Sequence, residues 1–416
     1  MKYFGFAGKI AHIDLSSQKI RPFPLSETYI SKFLGGYGIN NRLFWDYQAP
    51  NTDPFAPENT IILGTGPLVG TLFPGAGKVI GTTKSPIIAT PKKLHFIDNA
   101  VVGSRRFGMM LKNAGFDHLI ITGRAEKPVY LKITNDEIQI NSAENLWGIK
   151  DIYETTDLFL HENPLSGILA IGKGGEKLVR YALALVDYSG HLGKFGFGAV
   201  MGSKNLKAIV TFGTKGVKVA HPPEFLKLAR ELRQKIRAVP LLKQFHDLGI
   251  TSGWALQAPL VYEGNVPYRE WKKKFGPKIW KKHKFQHNLA CGGCIVACRT
   301  DFHVPAGPYQ GLTSFTGHHF LPARVALRLG IEDPTLIIKL LDICNRAGVC
   351  FFTVGGLLNW ITRHETDSFP REISTYLDLL EKIISKTDIG EIAANGWYPV
   401  SQHLEIDPDG FFEGRS

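Results

Sequence analysis

Residues 107–140 read FGMMLKNAGFDHLIITGRAEKPVYLKITNDEIQI, and this stretch decides the fold of the first half of the chain. A helix predicted over 104–113 leads into it. Three short, largely apolar segments then follow and are predicted to be strands: 118–122, 129–133 and 137–140. The last two strands flank Asn135 and Asp136, a pair that favours a tight hairpin turn. The stretch therefore predicts a β-rich unit.

Outward from this stretch, the N-terminal half continues the same pattern. One further helix is predicted at 27–34. More strands are predicted, the first two as a hairpin around Ser16 and Ser17: 9–15, 19–23, 60–63, 78–83, 167–171 and 181–186. This half of the chain is thus expected to form a domain built mainly of strands.

The pattern changes near 215–223, where two prolines and several turn residues predict a domain boundary. Helical periodicity then dominates, and helices are predicted at 223–239, 335–347 and 372–386, with further helix after 390. The expected fold class is α+β. A β-rich domain at 1–212 is followed by a mainly helical domain at 218–416.

Composition leaves several partners open. The chain has 416 residues and a formal net charge of +12, which favours an acidic partner or an anionic cofactor. Nucleic acid, a phosphorylated cofactor and an acidic electron carrier all meet that condition. The first residues lack the apolar stretch of a signal peptide. The apolar region 336–361 contains three charged residues, so we expect buried structure without a membrane span, and a cytoplasmic protein.

Three of the five cysteines form the pattern Cys291-Gly-Gly-Cys294-Ile-Val-Ala-Cys298. This spacing suits iron–sulfur ligation, with a fourth ligand from elsewhere in the chain. A zinc site completed by His303 is the alternative. Cysteines without a metal are the third possibility. A disulfide framework is disfavoured, because the count is odd and the cluster is tight.

A basic and aromatic stretch at 271–284 precedes the cysteines. It could be a docking patch for an acidic electron carrier or for nucleic acid. A solvated surface with buried aromatic side chains is the simpler interpretation, because runs of charge usually face water.

Glycine-rich turns occur at 64–78, 172–176 and 191–198. Glycines at such turns can expose backbone amides to a phosphate. The first turn lacks the glycine that a P-loop requires, and the second fails the dinucleotide fingerprint. Each turn by itself is explained by tight backbone geometry alone.

Together these segments resemble the aldehyde:ferredoxin oxidoreductase family, in family order and over nearly the whole chain. The segments that carry the resemblance are GTGPLVGT at 64–71, TTKSP at 82–86, FGMMLKNAGFDHLIITGRAEKPVY at 107–130, GKFGFGAVMGSKNLKAI at 193–209, the cysteine cluster, and CNRAGVCFFTVGG at 344–356. The resemblance implies a tungsten (or molybdenum) bis-pterin (molybdopterin-type) cofactor and a [4Fe–4S] cluster. The implied reaction is oxidation of an aldehyde to its acid, with electrons passing to ferredoxin or another acidic electron carrier.

The resemblance also implies site residues. Cys291, Cys294 and Cys298 match three cluster ligands. The remaining residues match positions that hold the pterin or its phosphates, with Mg²⁺ as a further expected ion: Lys78, Asp98, Asn99, Gly193, Lys194, Asn345 and Cys350. Lys78 and Lys194 stand where an arginine is common, and lysine lacks the planar fork for bidentate phosphate contact.

We expect the family's third domain, with its fourth cluster cysteine, to be missing from this sequence, and a dimer-interface E-x-x-H iron site is not seen. Either a second chain supplies the third domain, or the chain is a truncated product; Cys344 or Cys350 could also substitute as the fourth ligand. A homodimer is possible. The alternative functions are an inactive scaffold that keeps the family fold, and a zinc-stabilised nucleic-acid-binding protein.

Overall fold

The structure is a computed structural model. It describes residues 3–88, 95–193, 195–248, 282–316, 320–365 and 372–405, with isolated positions 273 and 279. Lys194 and most of the basic stretch 271–284 lie outside the described residues.

The first sheet holds the N-terminal hairpin and the glycine turn at 64–78. Its strands are β1 (Lys9–Asp14), β2 (Lys19–Pro24), β3 (Ile61–Thr65), β4 (Lys78–Lys84), β5 (Ile97–Gly103) and β6 (His118–Thr122). Their order is β2-β1-β6-β3-β4-β5. Only β1 and β6 pair in parallel; the other neighbours are antiparallel. The predicted hairpin of β1 and β2 is confirmed, and β5 was not predicted.

The second sheet contains the hairpin at Asn135 and Asp136. Its strands are β7 (Val129–Thr134), β8 (Glu137–Ser142), β9 (Gly167–Ala170), β10 (Ala184–Val186), β11 (Gly190–Leu192) and β12 (Leu206–Phe212), in the order β11-β10-β9-β12-β7-β8. Asn135 and Asp136 have φ of 41° and 68°, so both adopt the left-handed backbone of a tight hairpin turn. The prediction is confirmed, because Asn and Asp tolerate this conformation.

Six helices accompany these sheets in the described residues: α1 (Glu27–Phe33), α2 (Tyr37–Tyr47), α3 (Phe107–Asn113), α4 (Ile152–Glu162), α5 (Lys173–Glu176) and α6 (Phe197–Ser203). The prediction missed α2, α4, α5 and α6. A signal for α4 was present: Asp151 and Glu154 form a capping box at its start. Helix α3 begins three residues later than predicted, because Asp187 accepts hydrogen bonds from the first amides of its N-terminus.

The second half is mainly helical, as predicted. Its helices are α7 (Pro222–Ala238), α8 (Pro240–Leu248), α9 (Phe320–Leu329), α10 (Pro334–Ala347), α11 (Phe351–Glu365), α12 (Ile373–Ser385), α13 (Ile389–Ala393) and α14 (Trp397–His403). A small antiparallel sheet, which was not predicted, interrupts them: β13 (Lys284–Leu289), β14 (Arg299–His303) and β15 (Thr313–Thr316). The fold is therefore α+β, with a helical region that carries one small sheet.

The core does not stop at the predicted domain boundary. No regular element occupies 213–221, between β12 and α7. One cluster of buried apolar side chains nevertheless runs from Ile168 and Ala208 of the second sheet to Leu340 and Leu357 of the helices. The limits 1–212 and 218–416 stay a prediction, since the two regions share this core.

The apolar region 336–361 lies in α10 and α11 and is largely buried in that core, as expected. Among the described residues, no helix combines the length and the apolar character that crossing a membrane requires.

Candidate cofactor site and cysteine loop

The three clustered cysteines lie in the cysteine loop, residues 291–298, which connects β13 to β14. The Cys294 amide donates to the Cys291 carbonyl oxygen at 3.0 Å and closes a tight turn. The Val296 amide donates to Cys294 Sγ at 3.4 Å. These two hydrogen bonds hold the Cys294 sulfur against the backbone of the loop.

Glycines allow the cysteine loop to approach the end of the β4–β5 pair. The Gly292 amide donates to the Ser104 carbonyl oxygen at 2.9 Å. A Cβ at Gly77 would lie 2.9 Å from the Gly292 carbonyl oxygen. A Cβ at Gly103 would lie 2.5 Å from Cys291 Sγ. Any side chain at Gly77 or Gly103 would therefore push the loop away from the first sheet.

The three thiols influence one another electrostatically. Burial raises the pKa of Cys298, and negative charge on Cys291 and Cys294 raises it further, while the neighbouring Arg299 lowers it. The Arg299 guanidinium is buried; it donates to Ser189 Oγ at 3.0 Å and to the Gly103 carbonyl oxygen. Three ionised thiols this close would repel, and a bound cationic centre would relieve the repulsion.

The thiols do not form a preformed cage for one ion. Within the described part of the chain, no group of three or more His, Cys, Asp or Glu side chains is arranged to hold a metal ion. The structure thus places the three predicted cluster ligands in one loop, and supplies ligand chemistry without a closed single-ion site.

The zinc alternative with His303 as fourth ligand is wrong. Strand β14 begins directly after Cys298, and His303 is its last residue. Five residues of extended chain span about 16 Å, more than two side chains sharing one ion can bridge. His303 lies instead in the ladder opposite Thr313.

Cys344 and Cys350 form a second, buried pair of thiols. Burial raises the pKa of Cys344, and nearby Cys350 raises it further. Burial also raises the pKa of Tyr181, and both thiols add to that rise. The Cys350 amide donates to the Tyr181 carbonyl oxygen at 3.3 Å. The groups with the largest effect on the pKa of Cys298 include neither of these thiols. The surroundings of Cys350 are therefore those of a core thiol, and a ligand role for it stays a prediction.

The predicted pterin residues of the first sheet lie at two places along β4 and β5. Lys78 is exposed and pairs with Gly103, beside the cysteine loop. Asp98 and Asn99 pair with Thr83 and Thr82. Four residues of strand, about 13 Å, separate Lys78 from the Asn99 position. The strand pair thus presents one cation near the cysteines and amide and carboxylate groups farther along.

The amide of Asn99 is held in a defined orientation. Its Oδ1 accepts from Thr82 Oγ1 at 2.5 Å and from Asn41 Nδ2 at 3.3 Å. Its Nδ2 donates to Asn41 Oδ1 at 3.2 Å. Neither Asn41 nor Thr82 was predicted as a site residue, because only the pairing of β4 with β5 and the packing of α2 bring them together.

Gly193 and Asn345 tie the second sheet to this region. Gly193 follows β11 with φ of 60°, and a Cβ there would lie 2.8 Å from Ala100 Cβ on β5. Asn345 Oδ1 accepts from His191 Nε2 at 2.9 Å. Asn345 Nδ2 donates to Ser314 Oγ and to a backbone carbonyl oxygen on β15. The buried Asn345 amide therefore joins α10, β11 and β15, and contact with a pterin stays a prediction.

Comparison with known proteins decides the family. The sequence model of the aldehyde ferredoxin oxidoreductase N-terminal domain matches residues 10–213, and that of domains 2 and 3 matches residues 227–411. The chain belongs to the aldehyde ferredoxin oxidoreductase family. The resemblance inferred from the sequence motifs is thereby confirmed.

Relatives in this family are 30–31% identical to the chain over the aligned positions. The aliphatic sulfonate oxidoreductase WOR-like subunit of Pyrococcus furiosus is 30% identical over an alignment 441 residues long, gaps included. The alignment covers 95% of this chain and 67% of that protein. The tungsten-containing aldehyde ferredoxin oxidoreductase of Pyrococcus horikoshii is 31% identical over 405 residues, 93% of this chain and 61% of that protein.

A solved structure shares the fold. The active site complex BamBC of benzoyl coenzyme A reductase, in complex with 1,5-dienoyl-CoA, superposes with a TM-score of 0.78 at 26% identity. The match covers 96% of this chain and 63% of that chain. This aldehyde ferredoxin oxidoreductase family chain thus spans somewhat less than two thirds of the length of two of these relatives.

Proposed function

We propose that this chain is part of a tungsten bis-pterin, iron–sulfur oxidoreductase that oxidises an aldehyde to a carboxylic acid and passes the electrons through a [4Fe–4S] cluster to ferredoxin. Family membership supports the tungsten–pterin chemistry, since relatives at about 30% identity are tungsten-containing enzymes. One structural observation carries the assignment to this chain: the cysteine loop packs against the end of the β4–β5 pair, beside Lys78.

The spacing of the cysteines supports an iron–sulfur cluster. Cys291, Cys294 and Cys298 follow the pattern C-x2-C-x3-C, which suits cluster ligation with a fourth ligand from elsewhere. In a [4Fe–4S] cluster each cysteine binds a different iron, so three cysteines in one loop can serve three of its irons.

The proposed reaction balances as follows. An aldehyde and one water give a carboxylic acid, two protons and two electrons, and two one-electron acceptors take up the electrons. The tungsten–pterin group, when bound, supplies the two-electron chemistry, and the cluster divides it into single-electron steps.

The chain's own residues orient and neutralise these groups. Cys291, Cys294 and Cys298 would bind the cluster, and the buried Arg299 would offset its negative charge. Lys78 would neutralise a pterin phosphate, together with Mg²⁺ and the predicted contact from Lys194. Asn99 would offer its remaining amide hydrogen to the pterin.

The names of two relatives support a multi-chain enzyme. One is called a subunit, and the solved structure is a complex. We therefore propose that a second chain completes the cofactor site, and that the assembly works in the cytoplasm with ferredoxin as acceptor.

Metal and pterin analysis of anaerobically purified protein tests the proposal. We expect tungsten or molybdenum, iron, sulfide and pterin, and aldehyde-dependent reduction of ferredoxin when the neighbouring chain is present. Cys294→Ala should lose iron, whereas Cys350→Ala, a matched change in the second thiol pair, should keep it. Protein that holds zinc, or iron content that falls equally in both variants, would contradict the proposal.

A further inference from the structure

A buried histidine lies behind the predicted pterin-contacting Asn99. His118 on β6 pairs with Gly64 on β3, and its side chain is fully buried. The imidazole lies across Gly64 and reaches Asn40 of α2, with Nδ1 and Asn40 Oδ1 2.8 Å apart. A Cβ at Gly64 would overlap both of these atoms. Glycine in the middle of this strand therefore makes room for the His118–Asn40 contact.

The hydrogen bonds of Asn40 determine which imidazole nitrogen carries the proton. Asn40 Nδ2 donates to the Ile80 carbonyl oxygen at 3.0 Å and to Thr82 Oγ1 at 3.1 Å. Asn40 Oδ1 is consequently the acceptor, so His118 Nδ1 must be the donor. His118 is neutral because burial, helped by Lys112, lowers its pKa to about 3. Its Nε2 has no hydrogen-bond partner among the described residues.

The chain of donors continues outward from Thr82. The Thr82 hydroxyl accepts from Asn40, so its own hydrogen is free to donate to Asn99 Oδ1 at 2.5 Å. Asn99 Nδ2 donates one hydrogen to Asn41 Oδ1. Asn41 Nδ2 uses its two hydrogens on the Tyr37 carbonyl oxygen and on Asn99 Oδ1. Only one orientation of the Asn99 amide satisfies all of these partners, and it leaves one N–H to offer to a ligand.

We propose that His118 is a positioning residue, which acts through Asn40 and Thr82 to hold the Asn99 amide with one N–H directed at an acceptor atom of the pterin cofactor. This inference rests on the proposed function, because the family pattern is what assigns Asn99 to the pterin. The hydrogen bonds from His118 to Asn40, from Asn40 to Thr82 and from Thr82 to Asn99 all run in the same direction. Hydrogen bonds aligned in this way strengthen one another.

Two substitutions of His118 separate positioning from plain structural support. The amide nitrogen of asparagine takes roughly the place of imidazole Nδ1, whereas that of glutamine takes roughly the place of Nε2. Both variants bury one amide, so they burden the core similarly. His118→Asn should keep the donor to Asn40, and His118→Gln should lose it.

The readout is pterin per protein after anaerobic purification, with iron per protein and the melting temperature measured on the same samples. We expect His118→Gln to hold roughly fivefold less pterin than His118→Asn, the loss of about one hydrogen bond's worth of affinity. Iron should be equal in the two variants, since the cysteine loop is separate from this chain of donors. Equal pterin in both variants would overturn the inference while leaving the proposed function intact. A wild-type protein without pterin would overturn both.

Two substitutions of Thr82, in the same series of hydrogen bonds, test the inference if a His118 variant does not fold. Thr82→Ser keeps the hydroxyl that donates to Asn99, and Thr82→Val replaces it with a methyl group of similar size. We expect the valine variant to lose pterin and the serine variant to retain it. Equal retention in this pair would also overturn the inference.

Discussion

Removal of the Asp187 carboxylate should loosen the surface on which the cysteine loop docks. Asp187 is buried at the turn between β10 and β11, in the left-handed region with φ of 48°. Its Oδ2 accepts from the Arg106 amide at 2.8 Å, the Phe107 amide at 3.1 Å and Ser104 Oγ at 3.1 Å. Its Oδ1 accepts from the Ile168 amide at 3.0 Å. One carboxylate therefore joins α3, β9 and the turn that carries Ser104.

The structure sets the size of the effect. Asp187→Ala leaves four donors without their acceptor, and each buried donor left unpaired costs about 1–3 kcal/mol before water and relaxation recover part of it. We expect the free energy of unfolding to fall by about 4 kcal/mol, at the upper end of single substitutions. Asp187→Asn can keep the three hydrogen bonds to one oxygen, but its NH₂ group would then face the Ile168 amide, and both groups are donors. We expect the free energy of unfolding to fall by about 2 kcal/mol.

Urea unfolding measures both variants, with the slope of the transition checked against the wild type. The backbone carbonyl oxygen of Ser104 also accepts a hydrogen bond from the Gly292 amide of the cysteine loop. Asp187→Ala should therefore lower the amount of bound iron as well. The reasoning would be refuted if Asp187→Ala changed the free energy of unfolding by less than about 1 kcal/mol, or if the asparagine variant lost as much as the alanine variant.

Three further outcomes follow from buried groups and close backbone approaches. Burial lowers the pKa of Lys204 to about 7, so between pH 7 and the unfolded pKa the folded state binds fewer protons than the unfolded state. The free energy of unfolding should therefore rise from pH 7 to about pH 10, by at most about 1.4 kcal/mol per pH unit. Lys204→Met should remove this slope in urea unfolding measured at several pH values. Gly64→Ala should lower the free energy of unfolding by about 2 kcal/mol or more, whereas Gly66→Ala, whose Cβ would meet nothing within 4 Å, should change it little; similar melting temperatures for both would count against the Gly64 clash. Gly103→Ala should displace Cys291 and lower iron per protein while the circular dichroism spectrum stays that of the wild type; full iron occupancy would contradict the docking geometry.

Much of the fold follows from local signals along the chain. The hairpin at Asn135 and Asp136 and the helix between Pro334 and Gly348 were predictable, because turn residues and caps act over a few positions. Strand β5 was not predicted, since its sequence IDNAVVG contains the turn-forming pair Asp98 and Asn99 near its start. Its pairing with β4 is what makes this segment a strand. The sheet around the cysteine loop escaped for the same reason.

In the candidate site, too, local sequence patterns revealed some residues and the folded structure revealed the others. The three cysteines were found from their spacing, which is a short-range property. His118, Asn40, Thr82 and Asp187 were not found, because nothing near them in the sequence indicates their partners. The zinc alternative with His303 rested on sequence distance, which does not show that an extended strand carries His303 away from the cysteines.

The sequence by itself determined the family, the fold class and the presence of three thiols within eight residues, because motifs, periodicity and spacing are written along the chain. Only the tertiary structure decided that Gly77 and Gly103 face the cysteine loop, and that a buried histidine stands behind Asn99. Those contacts join residues far apart in sequence, and the order and register of the strands, with the burial that selects them, bring such residues together.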